Sequence, residues 1–218
     1  MPELDLLTKY PKPKRNVEAR GTEKTKEDIK IARQFGKEFF DGSRARGYGG
    51  YRYDGRWASV VRDFINYYGL TNESSVLDVG SAKGFMLNDF LYWLPFITIR
   101  GIDISKYAVE NSMPKIKPIL SVGNAKDLSQ FDDNSFDLVI SINTVHNLPL
   151  KDCKKAIKEI ERVKKKHAYI TVDAYRNKEE NKRMMMWNLT AQTILSVDGW
   201  KKLFKEVGYT GDYYWFIP

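Results

Sequence analysis

The chain has 218 residues, 42% of them apolar, with 13 Tyr, 11 Phe and 5 Trp: enough for one domain with a sizeable core, short of two, and too aromatic for a disordered segment. Lone Cys153 and two His exclude an internal disulfide and a structural zinc site, and no metal is expected. The formal charge is +8, and residues 1–70 carry 15 Lys+Arg against 10 Asp+Glu, so most of the excess precedes the later core.

That basic excess, partly in "KYPKPKR", has two readings: a solvated arm, or attraction of an anionic substrate such as a phosphorylated sugar, a nucleotide or RNA. There is no apolar run of about 18 residues and no signal-peptide h-region, so a soluble, non-exported chain is expected. With its single cysteine, the expected compartment is the cytoplasm, and no membrane partner is expected.

In chain order, residues 1–24 show little apolar periodicity and are expected to wander over the surface. "TKEDIKIARQFGKEFF" predicts a helix capped by Thr25, with Asp28 at capping-box spacing and Ile29, Ala32, Phe35 and Phe39 on one face. "DGSRARGYGGYRYDG" predicts a loop. A second helix carries Trp57, Val60, Val61, Phe64, Ile65 and Tyr68 on one stripe and ends at Gly69.

From Val76 the rhythm changes. "SVLDV", "ITIRGIDI", "KPILSV", "FDLVISI" and "HAYITVDA" read as strands, alternating with helical patterns. "KDCKKAIKEIERV" places Ala156, Ile157, Ile160 and Val163 on one side. "DGWKKLFKEVG" stripes Trp200, Leu203, Phe204 and Val207, with Asp198 as cap and Gly208 as stop. "NLTAQTILSV" is read as a further strand and "GYTGDYYWFIP" as a closing antiparallel one. The fold class expected is α/β: a doubly wound, mostly parallel sheet with helices on both faces. Residues 1–70 are expected to form an arm and helical lid within the same domain, and 71–218 the core.

Two motifs point to a ligand. "VLDVGSAKGF" ends a strand on Asp78 and follows it with Gly80 and Gly84, where open α/β sheets bind ligands. "GIDIS" ends the next strand on Asp103, 25 residues later, where a carboxylate can hold a ribose; the alternative for Asp103 is a helix cap, which Ser105 could equally supply. Asn124 in "GNAKDL" could bond an adenine edge. A dinucleotide fingerprint needs Gly-x-Gly-x-x-Gly and a phosphate loop needs Gly-Lys-Ser/Thr; the chain has neither here.

Together, from about Ser75 to Val172, these segments resemble the class I S-adenosylmethionine-dependent methyltransferases. Asp78, Gly80, Ala82 and Gly84 are similar to the family's glycine motif, with alanine at its middle glycine, and Asn124 stands where aspartate is common. The resemblance implies a Rossmann-like core and S-adenosyl-L-methionine as cofactor, held by Asp78, Gly80, Ser81, Gly84, Asp103, Ile104, Asn124, Ala125 and Asn143. It also sets "SINTVHNL" beside the transferable methyl. His146 is then the expected base, its alternative a buried histidine that only shapes the site; Asp173 and Tyr175 are further candidates. In "GYGGYRYDGRW", a lid is expected to bring Tyr53 towards the sulfonium and Arg56 to the methionine carboxylate, its alternative an aromatic loop packed on the sheet edge. "MMMWNL" is a candidate roof for the acceptor. The expected acceptor is a small polar molecule, a sugar or anionic metabolite, methylated on O or N. RNA or protein methylation is the alternative, and a noncatalytic cofactor-binding protein a third.

Overall fold

Local capping organises the N-terminal third. In the computed structural model, which describes residues 2–12 and 14–218, α1 (Val17–Glu23) starts where the Asn16 side chain accepts the Ala19 amide. Helix α2 (Lys26–Ala32) starts at the Thr25–Asp28 capping box, as its spacing predicts. The single helix expected over 25–40 is broken, however. Phe35 takes a φ of 50°, Gly36 is extended, and α3 (Lys37–Phe40) resumes after it. The Phe35 carbonyl, which an unbroken helix would use for the Phe39 amide, accepts the Ser105 hydroxyl at 2.5 Å instead. Helix α4 (Ala58–Tyr68) buries Val60, Val61, Phe64 and Tyr68 and stops at Gly69, whose φ of 62° suits a residue without a Cβ.

The described residues before Thr25 do not wander. Besides forming α1, they run along the sheet: the Leu4 amide bonds the Tyr213 carbonyl, the Tyr169 hydroxyl bonds the Leu4 carbonyl, and Leu6 is buried. Their few apolar side chains are spaced for an extended edge segment, which leaves no helical period to find.

The core then alternates strictly. It runs β1 (Ser75–Val79), α5 (Phe85–Trp93), β2 (Thr98–Asp103), α6 (Lys106–Glu110), β3 (Leu120–Val122), β4 (Phe136–Ile142), α7 (Leu150–Val163), β5 (Lys164–Tyr175), α8 (Lys178–Trp187), β6 (Leu195–Ser196), α9 (Val197–Val207) and β7 (Asp212–Phe216). Strand order is β3-β2-β1-β4-β5, with β6 and β7 both paired to β5. Every pairing between these strands is parallel, so the near-continuous apolar runs of β1 and β4 follow from burial on both faces.

Two details differ from expectation. Strand β7 is parallel to β5, because α9 has already carried the chain back to the starting end of the sheet; the connection before a strand sets its direction. Helix α9 is capped by Ser196, whose side chain accepts the Gly199 amide, and Asp198 sits in its first turn. The strand expected from "NLTAQTILSV" contributes only Leu195 and Ser196.

Each face of the sheet has its own core. Ala156, Ile157 and Ile160 of α7 and Trp200 and Phe204 of α9 cover one side; Phe64 of α4 and Leu87 and Phe90 of α5 cover the other. Both sets are fully buried, so truncating Ile157 to alanine is expected to cost about 2–5 kcal/mol, read from a urea denaturation midpoint. The chain winds outward from β1 in one direction through β2 and β3 and in the other through β4 and β5. The carboxyl ends of β1 and β4 therefore flank the switch point.

Candidate active site

The turn after β1 is held by the chain itself. Gly80 and Ser81 both donate their amides to the Ile102 carbonyl, at 2.8 and 3.1 Å. Gly80 has a φ of 91°, and a Cβ there would stand 2.0 Å from the Thr144 hydroxyl. Gly84 has a φ of 72°, and a Cβ on it would stand 2.4 Å from Ile116 Cγ2. Both glycines are explained by close packing of the turn against neighbouring segments of the chain. Asp103 ties the turn to β2: one carboxylate oxygen accepts the Ala82 amide at 2.7 Å, the other the Ser105 amide at 2.8 Å. Ser105, not Asp103, caps α6. Each Asp103 oxygen keeps a second lone pair for a ligand hydroxyl.

Over this turn lies a cavity of about 1680 Å³, roomier than the roughly 300–1,000 Å³ of a typical ligand pocket. Of the residues expected to hold a cofactor, Asp78, Gly80, Ser81, Asp103, Ile104 and Asn124 line it, as do Ala125, Asn143 and Arg56. Gly84 and Tyr53 do not. Gly84 faces Ile116 in the core, and the Tyr53 hydroxyl bonds Asp89 at 2.5 Å while its ring packs edge-on against Phe85. Asn143 takes a φ of 53° where β4 ends, and its side-chain oxygen accepts the Thr171 hydroxyl at 3.1 Å.

Asp78 is the outstanding charge. It is buried and has no hydrogen-bond partner among the described residues, and burial, with the nearby Asp103, pushes its carboxyl up to about 7. Such a group is stable neutral or beside a cation. Ionising it opposes folding of the empty protein as pH rises through about 7, whereas a bound ammonium favours the ionised form. Affinity for an ammonium-bearing ligand is therefore expected to rise with pH up to about 7 and level off above it, by calorimetry across a pH series.

His146 and Asp173, both buried, line the same cavity. His146 Nδ1 accepts the Asp173 amide at 3.0 Å, so in the neutral ring the proton is on Nε2. Burial pushes the imidazole towards that neutral form, outweighing the pull of Asp173. Nε2 is thus a donor in the neutral ring, which counts against the expected base at His146. The Asp173 carboxylate, 3.8 Å from Nε2, is the group left to accept a proton, and burial raises its pKa despite His146.

The lid does not match its expected contacts. Arg56 is forked onto Asp54, its Nε 2.8 Å from one carboxylate oxygen, so its guanidinium is already engaged. The loop is fastened by a residue that pattern reading passed over, Lys83 of "SAKGF". Its ammonium is buried and donates to Asp41 at 2.7 Å and to the Tyr51 carbonyl at 2.9 Å, while the Tyr107 hydroxyl bonds the same Asp41. Tyr51 then lies on Phe85, ring centroids 4.8 Å apart. A lysine inside a glycine turn was the available signal. Burial alone would raise the Asp41 carboxyl, but the Lys83, Tyr107 and Tyr51 donors hold it below the usual range. Its contribution is present above about pH 4 and lost as pH falls through the depressed value. Lys83→Met is expected to cost about 2 kcal/mol at pH 7 and much less at low pH, by urea denaturation at both. From "MMMWNL", Trp187, Asn188 and Leu189 line the cavity and Met184 is buried in the core.

A parallel switch-point sheet, an orphaned carboxyl at the end of β1 and a second carboxylate at the end of β2 suit a nucleoside bearing an ammonium group. In fold and in the placing of these carboxyls the chain is similar to the class I S-adenosylmethionine-dependent methyltransferases. Residues 77–172 match the family described as "Methyltransferase domain". An uncharacterised protein of Haemophilus influenzae is 32% identical over 125 residues, 51% of this chain and 49% of its own length. The chain thus spans about half the length of the curated relative it matches. Among solved structures, the fold is similar to a SAM-dependent methyltransferase from Archaeoglobus fulgidus, with 18% identity, a TM-score of 0.56 and 80% and 72% of the two chains covered. It is also similar to the [4+2]-cyclase SpnF, with 20% identity, a TM-score of 0.54 and 69% and 57% covered. At such identities the likeness is one of fold.

Proposed function

We propose that the chain transfers a methyl group from S-adenosylmethionine to a hydroxyl or amine of a small polar acceptor, with Asp173 as the base. The observation that carries this reading is the unpartnered, buried Asp78 carboxyl, in one cavity with Asp103 and the His146–Asp173 pair. Asp78 would hold the ligand's ammonium, the free lone pairs of Asp103 its ribose hydroxyls, and Asn124 and Ala125 its adenine edge. When bound, the cofactor supplies a methyl carbon activated by a sulfonium. Asp173 takes the acceptor's proton, its raised pKa making it a stronger base than an exposed carboxylate. The Nε2–H of His146 donates beside it and orients the acceptor. Alignment of the reactants in the cavity carries most of the rate.

Residues 1–70 act as a lid on the same domain, fastened by Lys83, rather than as a separate module. The lid residues that line the cavity, among them Tyr48, Tyr51 and Arg56, favour a small molecule over RNA or a protein side chain. A reduced, buried Cys153 suits the cytoplasm; among the described residues no helix is long and apolar enough to cross a membrane. Purified protein is expected to bind S-adenosylhomocysteine in calorimetry and, with methyl-labelled cofactor and pooled cell metabolites, to label a compound of low mass. No heat with either form of the cofactor would end the proposal.

A further inference from the structure

Three arginines surround one indole where the lid meets α8. The guanidinium carbons of Arg15, Arg20 and Arg44 lie 5.5, 4.8 and 6.0 Å from the centre of the Trp187 ring, and all four residues line the cavity. None of the three arginines has a carboxylate partner among the described residues, although Lys9, Lys12, Arg46 and Arg56 of the same N-terminal region each do. We propose that this cluster binds a phosphate group carried by the methyl acceptor.

The hydrogen-bond inventory supports a ligand. Arg20 uses Nε on the Trp187 carbonyl at 3.0 Å and Nη1 on the Arg44 carbonyl, which leaves Nη2 open. Arg44 uses Nη1 on the Gly47 carbonyl. The Arg15 guanidinium makes no hydrogen bond among the described residues, and it also lies 4.7 Å from the Phe216 ring. Several N–H donors of planar, permanently charged forks thus remain for an oxyanion.

Charge points the same way. Arg15 and Arg20 are half-buried, and their pKa values are lowered by burial and then by Arg44, so the cluster is held together against its own repulsion. An anion would relieve that repulsion. Three cations match a dianionic phosphate better than a singly charged carboxylate. Nearby acids do not compensate: Asp5 is taken by Lys12 and Asp54 by Arg56, and Glu23, one turn after Arg20, forms no ion pair with it. One indole gathers all three guanidinium groups within 6.0 Å of its centre, so they are held as a cluster rather than scattered over the surface.

The proposal rests on the methyltransferase reading, and its test separates the two. Full-length protein saturated with S-adenosylhomocysteine is titrated with inorganic phosphate, and separately with acetate, by calorimetry at low ionic strength. Phosphate is expected to bind with a dissociation constant on the order of a millimolar, and acetate at least tenfold more weakly. Arg15→Gln with Arg44→Gln is expected to weaken phosphate at least tenfold and leave S-adenosylhomocysteine affinity within twofold. Arg15→Gln alone, which breaks no hydrogen bond, is expected to weaken phosphate about threefold and guards against a misfolded double variant. Unchanged phosphate affinity in both variants, no phosphate binding to wild type, or acetate binding as tightly as phosphate would overturn the phosphate site. Displacement of phosphate by a short single-stranded RNA at micromolar concentration would overturn its assignment to a small acceptor. Failure of S-adenosylhomocysteine itself to bind would instead strike the methyltransferase reading, with the phosphate titration of the ligand-free protein still deciding the anion site.

Discussion

Asp173→Asn is expected to lower kcat with the true acceptor by about 10²- to 10⁴-fold, the usual range for loss of a positioned base. The substitution is unusually clean, because the neighbouring contacts use the Asp173 main chain. Its amide donates to His146 Nδ1, and its carbonyl accepts the Trp200 indole N–H at 2.9 Å. Asparagine keeps both, so the fold and the imidazole tautomer stay in place while proton acceptance is lost. S-adenosylhomocysteine affinity is expected to change less than twofold. In the wild type, kcat is expected to rise with pH through the elevated Asp173 pKa, since burial disfavours the charged carboxylate, and that limb should vanish in the variant. His146→Gln retains a side-chain N–H donor and is expected to cost less than Asp173→Asn. A variant at 173 with wild-type turnover would remove the base from this carboxylate, and a larger loss at His146 would return it to the imidazole.

Those two residues also mark where the sequence stopped being informative. A period of 3.6 or a continuous apolar run identifies α4, α7 and β4 because each buries one stripe or both faces, and burial is written in residue type. Asp78, Asp103 and Asn124 were legible for a related reason: they end strands whose apolar runs are unmistakable, and strand ends at a switch point gather by topology. Whether His146 is a donor or a base was not legible, since it turns on one amide 27 residues away. The break at Phe35 was hidden likewise, its cause being a hydroxyl 70 residues on. Lys83 reads as a surface lysine until Asp41 is folded onto it. The arginine cluster has the same character: Arg15, Arg20 and Arg44 have no shared period, and only the packing of the segment before α1, α1 itself and the turn after α3 around α8 brings them to Trp187.

Gly80→Ala is expected to be strongly damaging, and it separates two explanations of the glycine turn. If Gly80 only cleared space for a ligand, alanine would fold normally and bind S-adenosylhomocysteine poorly. The packing predicts more. The added Cβ would meet Thr144 Oγ1 at 2.0 Å, Cγ2 at 2.4 Å and Cβ at 2.7 Å, with a φ of 91° that side chains avoid. Backbone strain alone amounts to about 1–3 kcal/mol. Thr144 cannot simply rotate away, because its own Cβ is among the clashing atoms, so the β1 and β4 ends must part. A total loss of at least about 3 kcal/mol is expected in urea denaturation, together with loss of cofactor binding. Gly80→Ala combined with Thr144→Gly removes the clash and leaves the strain, so the pair should be more stable than Gly80→Ala corrected for the separate cost of Thr144→Gly, a coupling that ligand clearance does not produce. Wild-type stability in Gly80→Ala would mean that the ends of β1 and β4 yield more readily than their burial implies. The cavity floor would then be a movable surface, and the fixed separation of Asp78 from His146 on which the alignment of cofactor and acceptor depends would have to be set elsewhere.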